Sequence, residues 1–179
     1  MPIQFDGRAR RLGHDINTDY IIASARKKET LDGNVLKQYL LERIDPAFAA
    51  SVRPGDIIVA GRNFGCGSAM EVAVTVIQAA GIVAVAAESF SRSFFRNAIN
   101  NGLLAVECDT STIVEGDQLA VTLDGATPAV RDLTRGGRWE GASLPPIMQE
   151  ILGAGGLVPY IRRRGSLTGD TRRGATGSR

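Results

Sequence analysis

Between Asp56 and Val106 the chain repeats one rhythm, and that rhythm limits the possible folds more than any other feature. Asp56–Ala60 reads Ile-Ile-Val-Ala after its aspartate, a continuous apolar run of the kind that forms a parallel strand covered on both faces. A glycine-rich segment, 61–68, follows. Met70 to Ala80 then carries Met70, Val74, Ile77 and nearby alanines on one helical face, and Gly81 ends it. Ile82–Ala87 is a second buried strand. Ser89 is placed to N-cap a helix over Phe90–Asn100, whose Phe90, Phe94 and Ala98 recur at a spacing of four. Asn101-Gly102 closes that helix and Leu103–Val106 supplies a third strand. The alternation predicts an α/β layer with right-handed crossovers.

The flanking segments differ. Ile3–Leu12 is strand-like and leads through the polar turn GHDINTD to Tyr20-Ile21-Ile22. Val35–Ile44 has helical spacing in Leu36, Tyr39, Leu40, Leu41 and Ile44. Beyond residue 117, Gln118–Leu123 and Ala129–Leu133 flank Asp124-Gly125, a hairpin signal, and Gly136-Gly137-Arg-Trp139 suggests a further turn and strand. Pro145-Pro146 opens a short helix, Ile147–Leu152, that ends at Gly153. The fold class expected is α/β: one domain, residues 1–163, mixing a parallel core with antiparallel hairpins. Residues 164–179 form a basic tail of Gly, Ser, Thr and Arg, expected to be disordered.

Composition excludes several functions. Of the formal charge of +2, the segment 162–179 contributes +5 through six arginines against one aspartate, which leaves the body at −3. No basic patch argues for nucleic acid, and the tail reads as solvated. The most apolar run, Ile82–Ala87, is far shorter than the roughly 20 residues that span a bilayer. No apolar stretch follows the basic residues near the start, so no signal peptide is read and a cytoplasmic location is expected. Cys66 and Cys108 are isolated and His14 is the sole histidine, so this chain offers no metal-ligand set of its own. An activity that needs a metal or cluster must receive it from another chain.

The main chemical feature is the turn Gly61-Arg-Asn-Phe-Gly-Cys-Gly-Ser68. Glycines at 61, 65 and 67 permit tight backbone geometry and close approach of a ligand. Ser68 falls near a helix start, where unpaired N–H groups favour negative charge. It can cap that helix, or its oxygen can be held as an alkoxide by neighbouring amides. The segment lacks the third glycine of a dinucleotide fingerprint, the GK[ST] of a P-loop and the GxSxG of a nucleophile elbow. An anion-binding loop remains.

Asn63-Phe64-Gly65-Cys66-Gly67-Ser68 with Glu71 resembles the swivel-domain signature of the aconitase superfamily, which reads NFGxGSSREHA in small subunits of the isopropylmalate isomerase and homoaconitase type. Three further segments resemble that family in the same order: Asp15-Ile-Asn-Thr-Asp19-Tyr-Ile-Ile, Glu88-Ser-Phe90 through Asn101-Gly102-Leu103-Leu104, and Gly155-Gly156-Leu157-Val158 with Tyr160. The resemblance covers residues 1–163. It implies a swivelling β/β/α domain that is the small subunit of a heteromeric hydro-lyase, active only with a large subunit. That partner would hold a 4Fe–4S cluster, with no cofactor on this chain, and the substrate would be a small 2-hydroxy dicarboxylic acid.

By position the resemblance makes Ser68 the catalytic base and places Asp19 and Thr18 at the same cleft, with Gly67 and Ala69 in the substrate-binding turn. Two departures bear on the substrate. Ala69-Met70 stands where relatives carry Ser-Arg, and Val72-Ala73 where they carry His-Ala. Methionine can neither carry charge nor donate a hydrogen bond. Either the substrate is less polar there or another cation substitutes, and the loop containing Arg26, Lys27 and Lys28 is the candidate source. 3-Isopropylmalate, homoaconitate and methylated malates stay open as substrates, as does a non-catalytic binding partner of the same fold.

Overall fold

The computed structural model describes residues 2–165. In chain order the elements are β1 (Ile3–Arg11), α1 (Thr18–Ile21), α2 (Gly33–Leu36), α3 (Phe48–Ser51), β2 (Ile57–Ala60), α4 (Glu71–Ala79), β3 (Ala84–Ala87), α5 (Arg92–Asn100), β4 (Leu104–Glu107), β5 (Gln118–Asp124), β6 (Thr127–Asp132), β7 (Arg138–Glu140), α6 (Pro146–Ala154) and α7 (Leu157–Arg164). The strands form one seven-stranded sheet in the order β4-β3-β2-β1-β5-β6-β7. β1 to β4 are mutually parallel, whereas β5, β6 and β7 continue from the other edge of β1 as an antiparallel meander. The expected mixture of parallel core and hairpins is the architecture found.

Why β2 and β3 are continuously apolar follows from their position. Ile58, Ala60, Val85 and Ala87 face a core built with α4 and Phe94 of α5. Ile57, Val59, Ala84 and Ala86 face the opposite core, closed by α6, α7 and the β5–β6 hairpin. With both faces covered, alternation of polar and apolar residues would bury polar groups without partners.

Several expected boundaries move. Val35–Ile44 is not one helix: α2 gives way to a 3-10 turn over Lys37–Tyr39, and Leu41 takes a left-handed conformation at φ 58°. Leu36, Leu40 and Leu41 are nonetheless all buried, so their spacing reports burial by a turning chain. The cap of α5 is Ser91 rather than Ser89, its oxygen accepting from Phe94 N at 3.2 Å. Gly153 lies inside α6, which ends at the left-handed Gly155. α7 extends through Arg164, and residues 166–179 of the expected disordered tail lie outside the described residues.

A buried charge cluster ties the start of the parallel layer together. Asp56, at the head of β2, accepts from Arg8 Nη2 at 2.7 Å and Arg10 Nη1 at 3.3 Å, both on β1. Arg10 also reaches Glu115 at 2.9 Å and Ser51 at 2.8 Å, and lies over the Phe48 ring at 4.4 Å. Burial raises the Asp56 carboxyl, but hydrogen bonds and charge from Arg8, Arg53 N and Arg10 outweigh it and hold the group below the usual carboxylate range. Removing one partner of a buried pair strands the other, so Asp56→Ala is expected to cost about 3–5 kcal/mol in urea unfolding at pH 7. Because the folded carboxyl is depressed, its contribution is complete at neutral pH and disappears as pH falls through the folded value. The gap between wild type and Asp56→Ala should therefore narrow in acid.

Candidate active site

Three loops leave the C-terminal ends of neighbouring parallel strands and are laced together by backbone hydrogen bonds. The loop after β1 runs beside the glycine turn after β2: Asp15 N donates to Arg62 O at 2.8 Å, Gly65 N to Ile16 O at 2.8 Å, and Thr18 N to Cys66 O at 2.8 Å. On its other side the turn pairs with the loop after β3, Phe64 N donating to Ser89 O and Ser91 N to Phe64 O, each at 2.9 Å. Side chains reinforce the lacing. His14 Nδ1 accepts from Arg62 N at 2.8 Å, Asn63 Nδ2 donates to Asp15 at 2.9 Å, and Ser91 Oγ donates to Gly65 O at 2.7 Å. Three of the four segments that share the family resemblance, those around Asp15–Asp19, Asn63–Ser68 and Ser89–Ser91, thus meet in space.

Phe64 is fully buried and seats the turn, edge-on to Phe94 with centroids 5.0 Å apart and to Phe90 at 6.0 Å. Glycine is required twice. At Gly65, with φ 77°, an added Cβ would stand 2.3 Å from Phe94 Cβ, and at Gly67, with φ 92°, 2.5 Å from Asn17 Oδ1. From this anchored base the chain rises to Gly67, Ser68 and Ala69, all exposed. Thr18, buried, donates its hydroxyl to Ser68 O at 2.9 Å and so holds the serine's own carbonyl.

Ser68 is not the cap of the following helix. α4 begins at Glu71, and its N-cap is Met70, which makes no side-chain capping bond. The backbone N–H groups from Ser68 to Val72 find no protein acceptor among the described residues. Successive amides without acceptors, leading into a helix of nine residues, concentrate partial positive charge at the start of α4.

Asp19 lies beside this turn as a firmly ionised carboxylate. Ser24 donates to it through its hydroxyl and through its N–H at 2.7 Å, Arg43 pairs with its second oxygen, and Lys27 Nζ stands 4.0 Å away. The Ser24 hydroxyl is the main cause that holds Asp19 below its ordinary range, with Arg43 and Lys27 adding to it. The three basic residues of the neighbouring loop part company. Arg26 forms a bidentate pair with Glu42 at 2.9 and 3.0 Å and stacks 3.9 Å over Tyr39, which anchors the loop. Lys28 is exposed. Lys27 turns inward onto Met70.

Asn17 and Arg43 escaped the reading of the sequence. Asn17 caps α1, accepting from Asp19 N at 2.8 Å, and walls Gly67; its place inside the motif that contains Asp19 was a local signal. Arg43, 24 positions from Asp19, had none. Among the described residues no group of three His, Cys, Asp or Glu side chains could hold a metal ion. Burial pushes the Cys108 thiol up to about 12, and burial with Asp15 raises Cys66. These residues do not fit an iron–sulfur cluster.

The fold and this laced turn belong to a known class: residues 5–111 match the Aconitase C-terminal domain, and the chain belongs to that family. Within it, the chain is 46% identical over 160 residues to the 3-isopropylmalate dehydratase small subunit of Moorella thermoacetica, covering 88% of this chain and 95% of the relative. It is 44% identical over 160 residues to the isopropylmalate/citramalate isomerase small subunit of Methanocaldococcus jannaschii, covering 88% and 94%. The crystal structure of 3-isopropylmalate dehydratase (LeuD) from the latter organism superposes with a TM-score of 0.85 at 39% identity, over 91% of this chain and 96% of that one.

The packing at Gly65 gives a stability prediction. A left-handed side chain costs roughly 1–2 kcal/mol, and the overlap with Phe94 adds about 1–3 kcal/mol of overpacking. Gly65→Ala should therefore lower the unfolding free energy well beyond Gly116→Ala, whose φ of 88° is comparable but whose Cβ would meet open space. Urea midpoints of the two variants make the comparison.

Proposed function

We propose that this chain is the small subunit of a heteromeric hydro-lyase that dehydrates and rehydrates a 2-hydroxy dicarboxylic acid of the 3-isopropylmalate or citramalate type. Ser68 is the base. The observation that carries the reading is the exposed Gly67-Ser68-Ala69 turn, raised on a buried aromatic seat and followed by amides with no protein acceptor among the described residues. Relatives of nearly full length that bear the small-subunit name support the assignment of subunit and substrate class.

A serine hydroxyl is too weak an acid to serve as a base without help; part of the 68–72 amide set stabilises its alkoxide, and the rest is left for an oxygen of the substrate. Thr18 fixes the Ser68 carbonyl and hence the direction of the turn. Asp19 positions rather than reacts, since its oxygens are engaged by Ser24 and Arg43. Gly67 and Ala69 present backbone at the substrate wall, and Arg26 and Lys28 hold and flank the loop beside it. The large subunit would supply a 4Fe–4S cluster, whose chemistry when bound is Lewis-acid activation of the substrate hydroxyl. On this chain's side, Ser68 takes the proton from the adjacent carbon, the C–H electron pair becomes the double bond, and the hydroxyl departs on the partner's side of the cleft. Among the described residues no helix is long and apolar enough to cross a membrane.

The test is reconstitution with the cluster-bearing large subunit and an ultraviolet assay for the alkene. Wild type should turn over 3-isopropylmalate or citramalate, and Ser68→Ala should lose about 10²–10⁴-fold in kcat while co-eluting with the large subunit as before. Unchanged turnover by Ser68→Ala would remove Ser68 from the role of base.

A further inference from the structure

We propose that Lys27, reaching across Met70 to the start of α4, is the cation of this site and binds a carboxylate of the substrate against the 68–72 amides. The inference rests on the hydro-lyase reading and adds to it the residue that recognises the anion.

Lys27 is the deepest of the loop's basic side chains. Only 10% of it is exposed, against 41% of Arg26. Its Nζ lies against Met70 Sδ, a weak acceptor that offers no charge. The nearest carboxylate, Asp19, is 4.0 Å away, and its oxygens already serve Ser24 and Arg43. A desolvated ammonium with a thioether as its close partner is incompletely compensated, and burial accordingly lowers its proton affinity despite Asp19. An anion arriving at this point would complete it.

The position of Met70 says where that anion would sit. Met70 is the N-cap of α4, extended at φ −130° and ψ 116°; its carbonyl accepts from Ala73 N at 3.2 Å, but its side chain supplies no oxygen to the first turn. Through Met70 the Lys27 ammonium lies at the start of α4, in the same stretch of chain as the 68–72 amides, which have no acceptor among the described residues. One carboxylate, with two oxygens and no proton, satisfies both sets; an apolar group satisfies neither. Arg26, paired with Glu42, and the exposed Lys28 do not compete for the role. The cation could equally have been carried on residue 70 itself, and here it is delivered through space.

That equivalence supplies the experiment. In the complex with the large subunit, Lys27→Met should raise KM for 3-isopropylmalate or citramalate about 10–100-fold, the range of one charge-assisted hydrogen bond, with kcat changed far less. Lys27→Arg should stay near wild type. Met70→Arg alone should weaken binding, because it crowds two cations, whereas Lys27→Met/Met70→Arg should recover most of the lost affinity. Titration calorimetry of the same acids into Ser68→Ala complexes with and without Lys27→Met reads affinity without turnover. Loss of kcat at Ser68 and loss of affinity at Lys27 are thus separate results, and either can fail alone. If Lys27→Met does not assemble, Lys27→Gln and the double variant carry the comparison. An unchanged KM and Kd, or a double variant no better than Lys27→Met, would overturn the proposal.

Discussion

The backbone lacing of the 61–68 turn between the loops after β1 and β3 is the constraint from which the rest of the site follows. Without Gly65 N on Ile16 O, Thr18 N on Cys66 O and Ser91 N on Phe64 O, the turn would be an isolated glycine-rich loop with high conformational entropy. Paired on both sides and seated on Phe64, it becomes a rigid platform. Rigidity matters because amides stabilise an alkoxide or a carboxylate effectively when they are already aimed, so that no reorganisation is needed as charge develops.

The sheet explains why those loops are neighbours. β1, β2 and β3 are adjacent and parallel, so the segments after Arg11, Ala60 and Ala87 emerge on one side. Ligand sites in α/β sheets gather beyond such strand ends, and the candidate site lies there, next to β1, where the sheet changes from parallel to antiparallel. The Arg8–Asp56–Arg10 cluster lies near the opposite end of the β1–β2 pair and fixes their register without entering the site.

Much of this was legible in the chain. The 56–106 alternation predicted the parallel layer because strands buried on both faces must be apolar throughout, and Asp124-Gly125 predicted the hairpin because its turn needs a positive φ, found at 76° for Gly125. The separate motifs around Asp19, Ser68 and Phe90 were visible too. Less legible were features set by competition in space. Leu36, Leu40 and Leu41 looked helical because a turning chain that buries every third or fourth residue leaves the same pattern. Ser89 and Ser91 are equivalent as caps in one dimension; Ser91 caps because Ser89 Oγ accepts from Asn63 N at 2.8 Å instead.

The sequence by itself determined the layer order, the glycine turn and the residue types able to bear charge there, since each depends on periodicity or on backbone freedom at a single position. The tertiary structure decided which charge comes to lie against the turn. Arg26, Lys27 and Lys28 are consecutive, and a string of letters does not rank them. Folding gave Arg26 to Glu42, left Lys28 in solvent and turned Lys27 onto Met70. It likewise moved Ser68 out of the capping position by starting α4 at Glu71, leaving the residue exposed on a turn whose 68–72 amides find no acceptor among the described residues. Electrostatic roles depend on distance and burial, which residues far apart in sequence acquire only when the fold brings them together.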